Sequence, residues 1–123
     1  MKKILIVDDD HNMRHAINRI LTLEKKYEIY EAIDGVEAEE KIVEIAPDLV
    51  ILDIKMPGKD GYEVCLNVRR NPLTQKIKVV AITGYSGKIG QGIMEALGAD
   101  AFFEKPFDTD TFKTTIADLL TEA

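Results

Sequence analysis

The chain contains a single cysteine, Cys65, so it can close no internal disulfide and build no cysteine metal cage. It has no apolar run approaching the ~20 residues that a helical membrane span requires. It has no excess of base either. The net charge is −6, and the lysines and arginines are scattered apart from pairs such as Lys25-Lys26 and Arg69-Arg70, which read as solvated surface. An acidic chain of this size is poorly suited to gripping nucleic acid through its phosphates. No repeat and no low-complexity segment interrupts it. Met1-Lys2-Lys3 followed by four apolar residues looks like the front of a signal peptide, but Asp8-Asp9-Asp10 ends the apolar stretch too early. A cytoplasmic location and no membrane partner are therefore expected.

What is present points to a globular domain. A length of 123 residues suits one domain with a sizeable core, and 46% hydrophobic with 31% charged residues is ordinary for such a protein. Four short apolar runs end in polar residues. Ile4-Leu5-Ile6-Val7 closes on Asp8 and Asp9, and Leu49-Val50-Ile51-Leu52 closes on Asp53. Val79-Val80-Ala81-Ile82 closes on Thr83, and Ala101-Phe102-Phe103-Glu104 leads to Lys105. Strands that are polar only at their trailing ends are those of a parallel sheet with its chemistry along one edge.

Helical spacing fills the intervals. Met13, Ile17, Ile20 and Leu21 mark a first helix, and Tyr27–Ile33 reads as a strand whose Glu28 and Glu31 suggest a partly exposed sheet edge. Asp34-Gly35 reads as a turn. Ala38, Ile42 and Ile45 mark a second helix, stopped by Pro47. The segment 54–61, with one proline and two glycines, reads as an ordered loop. Val64, Cys65 and Val68 form the inward face of a third helix ended by Asn71-Pro72. Ile89, Ile93, Met94 and Leu97 mark a fourth helix that stops at Gly98. Asp108 caps a last helix with Phe112, Ile116, Leu119 and Leu120 inward.

Five βα units in this length predict a doubly wound α/β sandwich. With strand order 2-1-3-4-5, the first and third strands are neighbours and a crevice opens at their C-terminal ends. Asp8, Asp9 and Asp53 all fall there. Like charges at about 4 Å cost about 4 kcal/mol per pair at an effective dielectric of about 20, so such a cluster takes up protons or holds a cation. An all-oxygen donor set favours a hard ion, and Mg²⁺ suits a site that also accepts phosphate oxygens. Asp8 and Asp9 are the expected metal ligands, Asp9 the more direct. Asp53 can be both ligand and nucleophile. Lys105 and Thr83 would stabilise the oxygens of a transferring phosphoryl group. The i, i+4 pair His11 and His15 has no third ligand beside it and reads as solvated. Asp10 reads as a helix cap, and Cys65 as a small buried hydrophobe.

The segments KILIVDDD at 3–10, PDLVILDIKMPGKDG at 47–61, VVAITGY at 79–85 and GADAFFEKPF at 98–107 give the pattern a name. The chain resembles, over its whole length, the receiver domain of bacterial two-component response regulators. The resemblance covers stand-alone types such as chemotaxis regulators and sporulation phosphorelay intermediates. It implies a flavodoxin-like (βα)5 fold with a five-stranded parallel sheet, and a single receiver domain over 1–123 with no output domain. It implies that Asp53 accepts a phosphoryl group from a phosphohistidine of a sensor histidine kinase or histidine phosphotransfer protein. Asp8 and Asp9 match the metal-binding pair, and the main-chain carbonyl of Lys55 matches the further protein ligand to Mg²⁺, for which Mn²⁺ can substitute. Thr83 and Phe102 match the two switch positions, Lys105 matches the lysine of the site, and Lys105-Pro106 matches a cis bond.

The implied mechanism is a population shift that remodels the face of the fourth helix, fifth strand and fifth helix for a downstream protein target. The protein is then a phosphoacceptor switch rather than an enzyme, monomeric or weakly dimeric on phosphorylation. Phe102 stands where tyrosine is common, and Gly84 leaves the site open. Lys55 and Tyr85 occupy the positions that tune dephosphorylation, and the bulk of Tyr85 suggests a long-lived phosphoryl group. Gly87, Gly90 and Gly92 suggest a fourth helix that frays at its start, or a loop followed by a later helix start. A phosphorelay intermediate is the alternative within the family. A small Mg²⁺-dependent phosphohydrolase with an aspartyl nucleophile is the alternative outside it, disfavoured by Lys55 where a second acid is usual.

Overall fold

In the computed structural model, which describes residues 1–56, 59–84 and 87–121, strands and helices alternate along the chain. They are β1 (Lys2–Val7), α1 (His11–Thr22), β2 (Tyr27–Ala32), α2 (Gly35–Ile45), β3 (Leu49–Asp53), α3 (Gly61–Arg70), β4 (Lys78–Thr83), α4 (Gly87–Ala96), β5 (Ala101–Glu104) and α5 (Thr109–Thr121). The five strands form one parallel sheet in the order β2-β1-β3-β4-β5. This is the doubly wound topology that the strand pattern predicts.

The apolar runs are continuous because both faces of the sheet are covered. Leu5, Val7, Val50, Leu52, Val79 and Ala81 pack with residues of α2, α3 and α4, such as Ile42, Val64 and Met94. Ile4, Ile6, Leu49, Ile51, Val80 and Ile82 pack on the other face with Ile17 and Leu21 of α1 and Phe112 and Ile116 of α5. Every residue of β3 is buried. At the trailing ends of the buried runs in β1, β3 and β4 stand Asp8, Asp53 and Thr83.

Capping follows the sequence closely. Asp10 accepts from the amides of Asn12 and Met13 at the start of α1, and Asp108 accepts from Thr111 at the start of α5. Gly98 ends α4 at φ +97, a conformation that side chains disfavour, and a Cβ there would also meet Arg69 Nε at 2.9 Å. Cys65 is fully buried, with its thiol directed at the Leu97 carbonyl 3.6 Å away.

Two readings are corrected. Asp34-Gly35 is not a free-standing turn. Asp34 caps α2 by accepting from the Glu37 amide at 2.8 Å, and Gly35 is the first helical residue. Ile93 is 42% exposed, so the inward face of α4 is narrower than its periodicity implies. The stretch from Gly87 is helical rather than loop, whereas the side chain of Ile89 lies outside the described residues.

Two glycines give opposite expectations. A Cβ on Gly61 would lie 2.5 Å from the Asp53 carbonyl oxygen and 2.7 Å from Ile54 Cα, so α3 starts against the backbone of β3. Gly61→Ala is expected to destabilise by roughly 1–3 kcal/mol through overpacking. A Cβ on Gly92 meets nothing within 4 Å. Gly92→Ala should stabilise by roughly 0.5–1 kcal/mol. Urea unfolding of the two variants checks both signs.

Candidate functional site

β1 and β3 pair from Ile4–Leu49 to Val7–Leu52, and Asp8 and Asp53 follow one step beyond that last pair. Register alone therefore places their carboxylates side by side at the crevice. Asp9, at the next position, is exposed. Oxygen atoms of Asp8, Asp9 and Asp53 lie within 4.8 Å of one another, the one group of three such ligands found among the described residues. His11 and His15 stand apart from it on α1, their rings near-parallel at 6.2 Å.

Each acid is held by a few specific donors. The Asp8 amide donates to the Ala32 carbonyl at 3.2 Å, and Asp8 Oδ1 accepts from the Asp10 amide at 2.9 Å. Asp53 Oδ1 accepts from the Lys55 amide at 3.3 Å, a bond made by the loop that leaves β3. Lys105 Nζ lies 3.2 Å from Asp8 Oδ2 and 3.8 Å from Asp53 Oδ2. The chain on either side of Lys105 is anchored by packing of Phe103, Phe107 and Phe112, with ring centroids 4.7–5.6 Å apart. Lys105-Pro106 is cis. The Lys105 stem runs past Gly84, where a Cβ would come within 3.9 Å of its Cδ.

Burial and the neighbouring Asp8 charge push the Asp53 carboxyl up to about 7, against a smaller opposing pull from Lys105. The Asp53 side chain is 8% exposed, so one edge still reaches solvent.

The cluster suits a hard divalent cation. Its donors are all carboxylate oxygens, they converge from two adjacent strand ends, and three acids face one ammonium. A second positive centre would relieve the remaining repulsion, and one that tolerates retained water fits a cluster with an exposed member.

The other candidate residues fall around this centre. Thr83 ends β4 and is buried; its carbonyl accepts from the Lys105 amide at 2.7 Å. It lies on the same sheet face as Ala81, whose partner across the ladder is Phe102, half-buried against the α2–α3–α4 side of the core. Lys55 is exposed at the rim. Tyr85 lies outside the described residues. Sequence reasoning passed over Arg14, whose Nη1 donates to the Asp8 carbonyl at 2.9 Å and whose Nε donates to Glu31 at 3.0 Å. The available signal was an arginine one turn into the helix that starts beside the acidic triplet.

Fold and site together define a class: a small doubly wound α/β protein whose sheet crevice carries a candidate cation and phosphate centre. The response regulator receiver domain matches residues 4–117. The chain is 37% identical over 117 residues to sporulation initiation phosphotransferase F of Bacillus subtilis, covering 94% of this chain and 90% of that protein. It is 34% identical over 121 residues to the DNA-binding dual master transcriptional regulator RpaA of Synechocystis. That match covers 98% of this chain but only 49% of RpaA, so the chain spans about half of that relative's length. Among solved structures, the signal receiver domain of a DNA-binding response regulator from Colwellia psychrerythraea superposes with TM-score 0.94 at 30% identity, covering 99% and 100% of the two chains. The Vibrio cholerae chemotaxis protein CheY4 gives TM-score 0.88 at 28% identity, covering 97% and 98%.

The chain belongs to the response regulator receiver domain family. Receiver domains are the phosphoacceptor modules of two-component signalling and interact with histidine kinases or histidine phosphotransfer proteins.

The raised Asp53 carboxyl has a thermodynamic consequence. A carboxyl that holds its proton more tightly folded than unfolded favours the fold when protonated. That contribution is fully present below the unfolded value near 3.8 and is lost as pH rises to about 7. In chelator, Asp53→Asn should match the parent near pH 4. It should exceed the parent at pH 8 by up to about 4 kcal/mol, at about 1.4 kcal/mol per pKa unit. Urea unfolding across this pH range checks it, and added Mg²⁺ should narrow the gap at pH 8 by stabilising the parent more than the variant.

Proposed function

We propose that Asp53 is the phosphoacceptor of a cytoplasmic two-component response regulator, with residues 1–123 acting as one receiver unit. The observation that carries this reading is the convergence of Asp8, Asp9, Asp53 and Lys105 at the β1–β3 crevice. Asp8, Asp9, Asp53 and the Lys55 carbonyl would hold Mg²⁺, or Mn²⁺ in its place. The ion, when bound, supplies positive charge to the phosphoryl oxygens and lets Asp53 ionise.

Asp53 Oδ attacks the phosphorus of a phosphohistidine. The new P–O bond forms as the P–N bond breaks, and the electron pair leaves with the imidazole nitrogen, which is protonated. Lys105 meets the developing charge on the phosphoryl group, and the Thr83 hydroxyl donates to one of its oxygens. The acyl phosphate is the signalling state. Thr83 shares a sheet face with the position that pairs with Phe102, so movement of Thr83 toward the phosphoryl group opens space into which Phe102 can turn. The face formed by α4, β5 and α5 then changes for a downstream protein. The protein promotes only its own phosphorylation and slow dephosphorylation, and Lys55 and Tyr85 tune the latter.

A second reading, a relay that passes the phosphoryl group to another histidine, is favoured by the relative that is itself a phosphotransferase and is covered over 90% of its length.

Incubation with acetyl phosphate and Mg²⁺ should label Asp53 stoichiometrically, and Asp53→Asn should abolish labelling. Catalytic turnover of diverse phosphoesters without stable labelling would instead indicate a phosphohydrolase. The labelled protein should keep its phosphoryl group for minutes or longer; loss within seconds removes the assigned role of Tyr85. Transfer from the labelled protein to a histidine phosphotransfer domain distinguishes the relay from the terminal switch.

A further inference from the structure

Arg14 lies beside the site but takes no part in the chemistry above. Its side chain is 12% exposed, and its guanidinium spans two elements. Nη1 donates to the Asp8 carbonyl at 2.9 Å, Nε donates to Glu31 Oε1 at 3.0 Å, and Nη2 approaches His11 Nδ1 at 3.3 Å. Glu31 is fixed in turn. Its other oxygen accepts from Asn18 Nδ2 at 2.7 Å, and its main-chain carbonyl accepts from Lys41 Nζ. Asn18 Oδ1 then accepts from Thr22 Oγ1 at 2.8 Å.

The Asp8 carbonyl belongs to the peptide that joins Asp8 to Asp9. That peptide is planar, so a donor fixed on its oxygen fixes the plane from which Asp9 departs. The remaining groups of Asp8 are already committed, its amide to Ala32, Oδ1 to Asp10 and Oδ2 to Lys105. Asp9, by contrast, is exposed, yet its carboxylate meets those of Asp8 and Asp53 within 4.8 Å. Glu31 also balances the guanidinium charge, so the peptide is aligned without net positive charge set against a cation.

We propose that Arg14 is a positioning residue for the cation site, aiming Asp9 through the Asp8–Asp9 peptide, with Glu31 as its charge partner. The proposal rests on the reading of Asp8, Asp9 and Asp53 as cation ligands. Lysine is no substitute, because one ammonium cannot reproduce the fork that reaches both the Asp8 carbonyl and Glu31. A purely structural tie between α1 and β2 makes a different prediction: loss of Arg14 would lower stability and leave cation affinity alone.

The test is Mn²⁺ affinity, read by electron paramagnetic resonance on the full chain, beside melting temperature in chelator. The set is the parent, Arg14→Gln, Arg14→Lys, Asn18→Ala and Asp9→Asn. Removing a partner that orients a ligand should weaken Mn²⁺ binding by ~10-fold in Arg14→Gln, with Arg14→Lys also weakened and Asn18→Ala within about two-fold of the parent despite a lower melting temperature. Arg14→Lys keeps the charge and serves if Arg14→Gln does not fold. Parent-like Mn²⁺ affinity in both folded Arg14 variants overturns the proposal, as does equal weakening by Asn18→Ala. Mn²⁺ binding that is insensitive to Asp9→Asn overturns the cation reading itself, which separates the two failures.

Discussion

Two carboxylates placed side by side with little water around them govern the rest of this site. Asp8 is wholly buried and Asp53 nearly so, with one ammonium, Lys105, between them and closer to Asp8. Such an arrangement is incompletely balanced, because desolvation and like charge both oppose ionisation of Asp53. An unbalanced cluster responds strongly to added charge. A divalent cation would relieve it. This sensitivity to charge is a property of the strand-end electrostatics, before any partner is considered.

The fold can hold this cluster because everything beneath it is apolar and packed on both sides. β1 and β3 lie in the middle of the sheet, and their inward residues are fully buried on each face. Backbone donors hold Asp8 and Asp53 through the amides of Asp10 and Lys55. The start of α3 presses Gly61 against the Asp53 carbonyl, which leaves the end of β3 little room to shift. Between Thr83 and Phe102 the sheet offers a short path on one face, toward the α4 and β5 surface.

Much of this was legible in the chain. The apolar runs announced strands buried on both faces, and the polar residue after each announced the functional edge. Asp10, Asp108 and Gly98 announced helix ends, because capping depends on neighbours a few residues away. Readings that failed or were missed have several causes. Asp34 was taken for part of a turn because its role is set by the amide of Glu37 within a helix that begins earlier than its apolar residues. Glu28 and Glu31 marked a partly exposed edge, as β2 is, but did not reveal that Arg14 and Asn18 of α1 hold the Glu31 carboxylate. Ile93 follows helical spacing and is nevertheless exposed, since the sheet covers only part of α4.

By itself the sequence determined the alternation of elements, the parallel sheet and the identities of the acids, hydroxyl and ammonium at its trailing edge. These rest on local periodicity and on where each apolar run stops. Only the tertiary structure decided that Asp8, Asp9, Asp53 and Lys105 meet, that Lys105 pairs first with Asp8, and that Arg14 grips the peptide leading to Asp9. Those facts depend on strand order and register, which bring together residues up to 97 positions apart in the chain.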